Sequence, residues 1–323
     1  MAKYHCAVII PTKNAMPGLS RVMDKVLNQK VPWNYEVIVI DSGSRDGTKD
    51  YIRGLDRVRL IEIAPGDFGH GKTRNLGIAA ADAEFVALLT HDAEPVDEHW
   101  LANLVATAEK DSRIAGVFGR HVANDTASPF TKNDLDRHFQ GFLHHPLIVH
   151  RDLDLVRYEA DQGWRQLLHF YSDNNSLMRK SVWQMFPYPD VEFAEDQLWA
   201  RSIIEAGYAK AYAPNAVVYH SHDYSFSEQL KRAFDESRNF KKYFGYALSS
   251  KFLSALSSMG KLSIQAFRQK LDEQYGTVSF KHRLERAGQR VALVAGHFLG
   301  ANHEKLPRLM TGRLSLDKRL FKA

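Results

Sequence analysis

Over its first 120 residues the chain repeats one pattern: a short apolar run, a polar stop, then an amphipathic stretch. Residues 7–10 are halted by Pro11, residues 36–40 end at Asp41, and residues 85–90 run into His91, Asp92, Ala93, Glu94 and Pro95. Residues 58–63 and 114–118 complete the series. Between the runs, Leu19, Val22, Met23, Val26 and Leu27 mark one helical face, and Trp100, Leu101, Leu104, Val105 and Ala108 mark another. Unbroken apolar runs are the signature of strands covered on both sides. The pattern therefore predicts an α/β fold, a mostly parallel sheet with helices on both faces. Ligands of such sheets sit beyond the carboxyl ends of the strands. Pro11, Thr12 and Lys13, residues 41–44 and residues 92–94 all fall there.

Composition narrows the class. With 44% hydrophobic and 25% charged residues, the chain is neither disordered nor collagen-like. A single cysteine, Cys6, excludes a disulfide framework and a cysteine zinc cluster and fits a reducing cytoplasm. The opening residues lead directly into a strand, with no basic-then-apolar leader. The apolar run at 291–301 is interrupted by His297 and is too short to span a bilayer. Charge divides sharply: from residue 226 onward 19 Lys and Arg face 8 Asp and Glu, against 24 and 30 before it. Such a tail meets an anionic surface, membrane or nucleic acid, or is simply a set of solvated helices. Leu230, Phe234 and Tyr243 or Phe244 give it amphipathic helical spacing among Lys231, Arg232, Arg238, Lys241 and Lys242.

Asp92 and Glu94 stand two apart, which in extended chain puts both carboxylates on one side. Such a pair suits a hard divalent cation, Mg²⁺ or Mn²⁺; the plain alternative is a strand end with solvated acids. Arg74 and Asn75 open a helix near 72–80 after a glycine-rich loop, where backbone amides with Lys72 or Arg74 face phosphate or sugar oxygens. That loop, residues 66–73, also spells the P-loop pattern G-x-x-x-x-G-K-[ST] between a strand and a helix, so a nucleoside triphosphatase or kinase is the rival reading. It leaves Asp41, the Glu195-Asp196 helix and His220 with His222 unexplained. No G-x-G-x-x-G follows the first strand, which excludes a dehydrogenase. Residues 121–170 lose the strand–helix rhythm and are expected to form an irregular binding or lid segment. Regularity returns at 173–178, where Asp173, Asn174 and Asn175 supply either sugar contacts or caps, and in a strand at 216–219.

Five segments in order, VIIPTKNAMPGLSRVMDKVLNQ, EVIVIDSGSRDGT, THDAEP, FAEDQLWARSIIEAGY and VVYHSHDYS, together resemble a family 2 glycosyltransferase of the GT-A fold over roughly residues 6–225. The resemblance implies a nucleotide-sugar donor held by Pro11, Thr12, Asp41, Lys72, Arg74, Asn75 and His91, with Asp41 on the base or ribose. Asp92 and Glu94 stand where the family carries a metal-binding Asp-x-Asp, here in variant form, with His220 first and His222 second as a further contact. Asp196 aligns with the catalytic base of a one-step inverting transfer, while Glu195 faces elsewhere on its helix. FGHGKTRNLG, the Asp-Ala-Glu-Pro form, SDNNSLMRKSVW and HSHDYS are similar to the bacterial rhamnosyltransferase branch. That implies dTDP-L-rhamnose, with a UDP-sugar as the alternative donor. It also implies a saccharide or polyprenyl-diphosphate-linked acceptor and no nucleic acid partner. Residues 1–225 would be the catalytic domain. Residues 226–323 would be a basic helical region for peripheral contact with the inner face of the cell membrane, or for homo-oligomerisation.

Overall fold

Nine strands join in one sheet: β1 (Tyr4–Thr12), β2 (Tyr35–Asp41), β3 (Val58–Glu62), β4 (Ala83–Leu89), β5 (Glu94–Pro95), β6 (Ile114–Val122), β7 (Ile148–Val149), β8 (Asn175–Arg179) and β9 (Ala209–Tyr219). The computed structural model describes residues 2–316. The strand order is β3-β2-β1-β4-β8-β6-β9-β5, with β7 paired to β9. β1 lies parallel to β2 and β4, and β2 parallel to β3. β8 is inserted antiparallel between β4 and β6, and β6 runs parallel to β9. Because β1, β2, β3, β4, β6 and β9 all point one way, their carboxyl ends gather at one edge.

The two-residue period of the strands separates two cores. Val8, Ile10, Val37 and Val39 face one layer of helices, packing with Leu19, Val22, Met23, Trp100 and Leu104. Ala7, Ile9, Ile38 and Ile40 face the other, with Ile78, Tyr171, Met178, Trp199 and Ile203. This is the two-sided cover that the unbroken apolar runs predict. Both central tryptophans are fully buried and both indole N–H groups are satisfied, Trp100 by Asn175 Oδ1 and Trp199 by Phe186 O, each at 2.8 Å.

Two expectations change. The stretch 121–170 is not irregular: it contains helices Pro129–Gly141, Leu155–Ala160 and Gln162–His169. The last two begin at aspartate caps, Asp154 accepting from Arg157 N and Asp161 from Gly163 N and Trp164 N. Near them Phe142 and Phe170 pack on Phe118, which stacks on Tyr212 at 4.9 Å. The strand expected at 216–219 begins at Ala209, and its buried Lys210 donates to Leu167 O and Phe170 O. The spacing at Leu230 and Phe234 belongs to the helix Phe226–Phe244, in which Phe234 is fully buried and Phe226 is exposed.

The chain divides into two units, one of residues up to 124 with 135–220, the other of residues 125–134 with those from 221 onward. In the second, the helices are Phe226–Phe244, Phe252–Arg268, Phe280–Ala301 and Arg308–Leu314. The first opens with a capping box, Ser225 Oγ accepting from Glu228 N while Ser225 N donates to Glu228 Oε2. Gly296 and Gly300 lie against the backbone of that helix, at Leu230 O and Phe234 O, where any Cβ would collide. No helix among the described residues is long and apolar enough to cross a membrane.

Candidate active site

The carboxyl ends of β1 and β2 are laced together around Asp41. Thr12 and Asp41 are register partners, and the Thr12 hydroxyl donates to Asp41 Oδ2 at 3.4 Å. Oδ1 accepts from Gly43 N and Ser44 N, both at 2.9 Å, and the Ser44 hydroxyl donates to Oδ2. Asp41 is fully buried, with both oxygens engaged by its own turn and by Thr12. These bonds fix the turn at 42–44 to the ends of the two strands. Asn14 ties the two loops again, accepting from Arg45 N at Oδ1 and donating its own N–H to Ser44 Oγ. Pro11 is half-buried in β1 beside Thr12.

A second group gathers a guanidinium and three carboxylates. Arg74, on the helix His70–Ala80, donates from Nη1 to Glu195 Oε1 at 2.8 Å, and its Nε lies 3.4 Å from Asp173 Oδ2. Asp173 Oδ1 accepts from the Tyr188 hydroxyl at 2.7 Å and from Ser176 Oγ at 3.2 Å. Asp173 came from sequence only as a sugar contact or cap, and Tyr188 carried no local signal at all. Gly71 makes the close approach possible: a Cβ there would sit 2.7 Å from Pro189 O and 3.4 Å from Glu195 Cβ. Asp196, beside Glu195 in the first turn of the helix Glu195–Glu205, is half-buried, and its carboxylate accepts from Gln197 N at 2.8 Å.

One cation cannot balance three carboxylates, and burial penalises each charge. Burial raises Asp173 to about 6, with Arg74 opposing and Glu195 adding to the rise. Asp196 is raised well above the ordinary carboxylate range by burial, then by Glu195 and Asp173, again against Arg74. A carboxylate so placed is a stronger base than a solvated one.

The third group lies after β4. Asp92 Oδ1 is 3.6 Å from His220 Nε2, and the His220 backbone N–H donates to Val122 O. Neighbouring ligands on one octahedral ion with bonds near 2.1 Å stand about 3 Å apart, so this oxygen–nitrogen pair fits a divalent cation. Glu94 begins β5 and its Oε2 accepts from Arg21 Nε at 3.2 Å, a partner the sequence did not disclose. His121, also unforeseen, sets its ring edge-on to His220 at 5.3 Å. Burial, then His220 and His138, hold its pKa well below the usual histidine value, so it is neutral near pH 7. His91 is half-buried beside Asp92. His222 belongs to the second unit, where its ring stacks on Tyr224.

The glycine-rich loop is accounted for without a triphosphate. The helix starts at His70, so Gly71, Lys72 and Thr73 are helical, and Gly71 is required for packing against Pro189. Thr73 is buried, its Oγ1 accepting from Gly69 N. Lys72 is exposed, 3.9 Å from Asp67. Asn75 pins the segment before the Glu195 helix, donating to Tyr188 O and accepting from Trp183 Nε1 and Tyr188 N.

Residues 7–186 match the family described as Glycosyl transferase family 2. The chain is 34% identical over 235 residues to the O-antigen chain rhamnosyltransferase RfbN of Salmonella typhimurium, covering 71% of this chain and 70% of that protein. It is 29% identical to the O-antigen chain rhamnosyltransferase WbaN of Salmonella anatum, with the same coverage of 71% and 70%. Among solved structures it is similar in fold to the mannosyltransferase PcManGT of Pyrobaculum calidifontis, solved with GDP-Man and Mn²⁺. That likeness has a TM-score of 0.55 at 18% identity and covers 99% of this chain and 82% of the other.

Proposed function

The chain belongs to glycosyl transferase family 2, and from that premise we propose that it transfers L-rhamnose from dTDP-L-rhamnose to a saccharide hydroxyl, with inversion. The acceptor we propose is carried on a polyprenyl diphosphate, and the product belongs to a bacterial surface polysaccharide. The donor assignment is supported by the two Salmonella relatives, each aligned over more than two thirds of both chains and each named for rhamnosyl transfer.

The observation that carries the mechanism is the arrangement around Arg74. Arg74 engages Glu195 and Asp173, and Asp196 is left with a raised pKa and a single backbone partner. In the proposed reaction Asp196 takes the proton from the acceptor hydroxyl. The acceptor oxygen bonds to the anomeric carbon as the bond from that carbon to the diphosphate oxygen breaks, and the electron pair leaves with the nucleoside diphosphate. Displacement from the opposite face inverts the carbon. The ordered turn around Asp41 and Thr12 supplies the floor for the nucleotide, and Asp92 with His220 would hold a divalent cation, Glu94 being the other acid of the pair. Bound there, such an ion supplies neutralising charge to the diphosphate.

Turnover of dTDP-L-rhamnose, tested beside UDP- and GDP-sugars with Mn²⁺, Mg²⁺ or chelator, checks the proposal. The expected result is a preference for the dTDP donor that chelator abolishes. Asp92→Ala should lose metal-dependent nucleotide binding, read by calorimetry, while melting like the parent chain. Selective turnover of a UDP-sugar would overturn the donor, and full turnover in excess chelator would overturn the metal assignment.

A further inference from the structure

The helix Phe252–Arg268 packs by one narrow side. Ala255 and Ala266 are buried, and Ser263 Oγ donates to Ala287 O of the helix Phe280–Ala301. At 100° per residue its outer side divides in two. Leu256, Phe267, Leu253 and Ile264 fall on one arc, with Phe252 at its inner edge beside Ser263, its ring 5.8 Å from that of Phe298, and Lys261 and Arg268 on the arc beyond it. Leu253 is 78% exposed, and the other members of the apolar arc are also open. The patch continues onto the next helix, since Phe280, 71% exposed, meets Phe267 at 5.7 Å between ring centroids. So much contiguous apolar surface needs a partner.

We propose that this face docks on an anionic lipid bilayer, with Phe252–Arg268 lying in the plane of the interface. The apolar arc enters the acyl boundary, and Lys251, Lys261, Arg268 and Lys270 reach the phosphate headgroups. Charge selects this occupant. Residues 251–270 contain those four cations and no Asp or Glu. A second copy packed on the same patch would bring these cations together, and neither copy of the helix Phe252–Arg268 carries an acid to pair them. The inference goes beyond the transferase reading and stands without it. It also moves the membrane face from the helix Phe226–Phe244, whose Phe234 is buried, to a helix whose apolar side is open.

The test uses the full chain with phosphatidylglycerol–phosphatidylcholine vesicles and with pure phosphatidylcholine vesicles. The chain should pellet with the anionic vesicles at low salt and be released at high salt. Leu253→Gln with Ile264→Gln, and separately Lys261→Glu with Arg268→Glu, should each lower partition by about tenfold or more. Both pairs alter exposed positions, so each should keep the parent melting temperature. Leu253→Trp should show blue-shifted emission that brominated lipid quenches. Three results would overturn the proposal. The parent chain could stay in the supernatant at low salt, or the glutamine pair could pellet like the parent. Light scattering could also show a dimer that the glutamine pair dissolves, with no vesicle binding, which would assign the face to a second copy.

Discussion

Arg74 donates to Glu195 at 2.8 Å across 121 positions of sequence, joining the helix after β3 to the helix that carries Asp196. The pair sits with each side chain more than nine-tenths buried, and the guanidinium acts on three carboxylates at once, Glu195, Asp173 and Asp196. Burial opposes that charge and Asp173 and Glu195 outweigh it, so Arg74 stays ionised. Its field lowers Asp173 and Asp196, yet burial and mutual repulsion still leave both raised. The group thus balances the helix position and the basicity of Asp196 together.

Asp196→Asn is expected to bind donor as the parent does and to lose transfer by about 10²-fold or more. Transfer needs the ionised carboxylate, so kcat/KM should rise with pH through a limb above the ordinary aspartate value of about 3.9. Arg74→Met removes the group that lowers the Asp196 pKa and should move that limb to still higher pH. Calorimetry with the donor and a pH–rate profile check both. Near-normal transfer by Asp196→Asn would place the base elsewhere.

Stability should carry the mark of Asp173. Its pKa is raised from about 3.9 in the unfolded chain to about 6 in the fold. Between those values Asp173 holds more of its proton in the folded state than in the unfolded, so its contribution to stability falls as pH rises through that window and levels off above it. Buried His121 and His169, whose lowered pKa values make stability rise with pH in the same window, also contribute. The Asp173 share is therefore read as the difference in urea midpoints between the parent chain and Asp173→Asn across pH 4–7, which should shrink as pH rises. The slope of that difference is the readout, because Asp173→Asn also removes a partner of Arg74 and lowers the whole curve. A difference that stays constant would show that another group titrates.

Legibility in the sequence followed the range of the interaction. The runs at 7–10, 36–40 and 85–90 are readable because strands buried on both faces must be apolar throughout, and Asp41 and Asp92 stand out as acids ending or following such elements, whereas Asp196 is marked only by the resemblance of its helix. Helices Leu155–Ala160 and Gln162–His169 were missed because their starts are set by Asp154 and Asp161 caps and their packing by aromatics from β6 and β9. The place of Arg74 at a helix start points toward phosphate, and the structure adds its pairing with Glu195 and Asp173; a pairing across 121 positions leaves no local pattern. The periodicity at Leu230 and Phe234 gave an apolar face correctly but not what covers it. That information resides in Gly296 and Gly300, which look like ordinary weak helix formers until the neighbouring backbone is seen against them.

Those glycines yield the last prediction. Replacing glycine by alanine inside a helix ordinarily stabilises by about 0.5–1 kcal/mol. Gly260, in the helix Phe252–Arg268, has no atom within 4 Å of the site a Cβ would occupy, so Gly260→Ala should follow that rule and raise the melting temperature. At Gly296 a Cβ would press on Leu230 O and lie 2.7 Å from Ala233 Cβ, so the two helices must separate. Overpacking of this kind costs about 1–3 kcal/mol, more than the propensity gain. Gly296→Ala should therefore lower the melting temperature while Gly260→Ala raises it. Thermal and urea unfolding of the two variants beside the parent chain read the signs directly. Shifts in the same direction would show that close packing of the two helices does not set the stability of the helical unit.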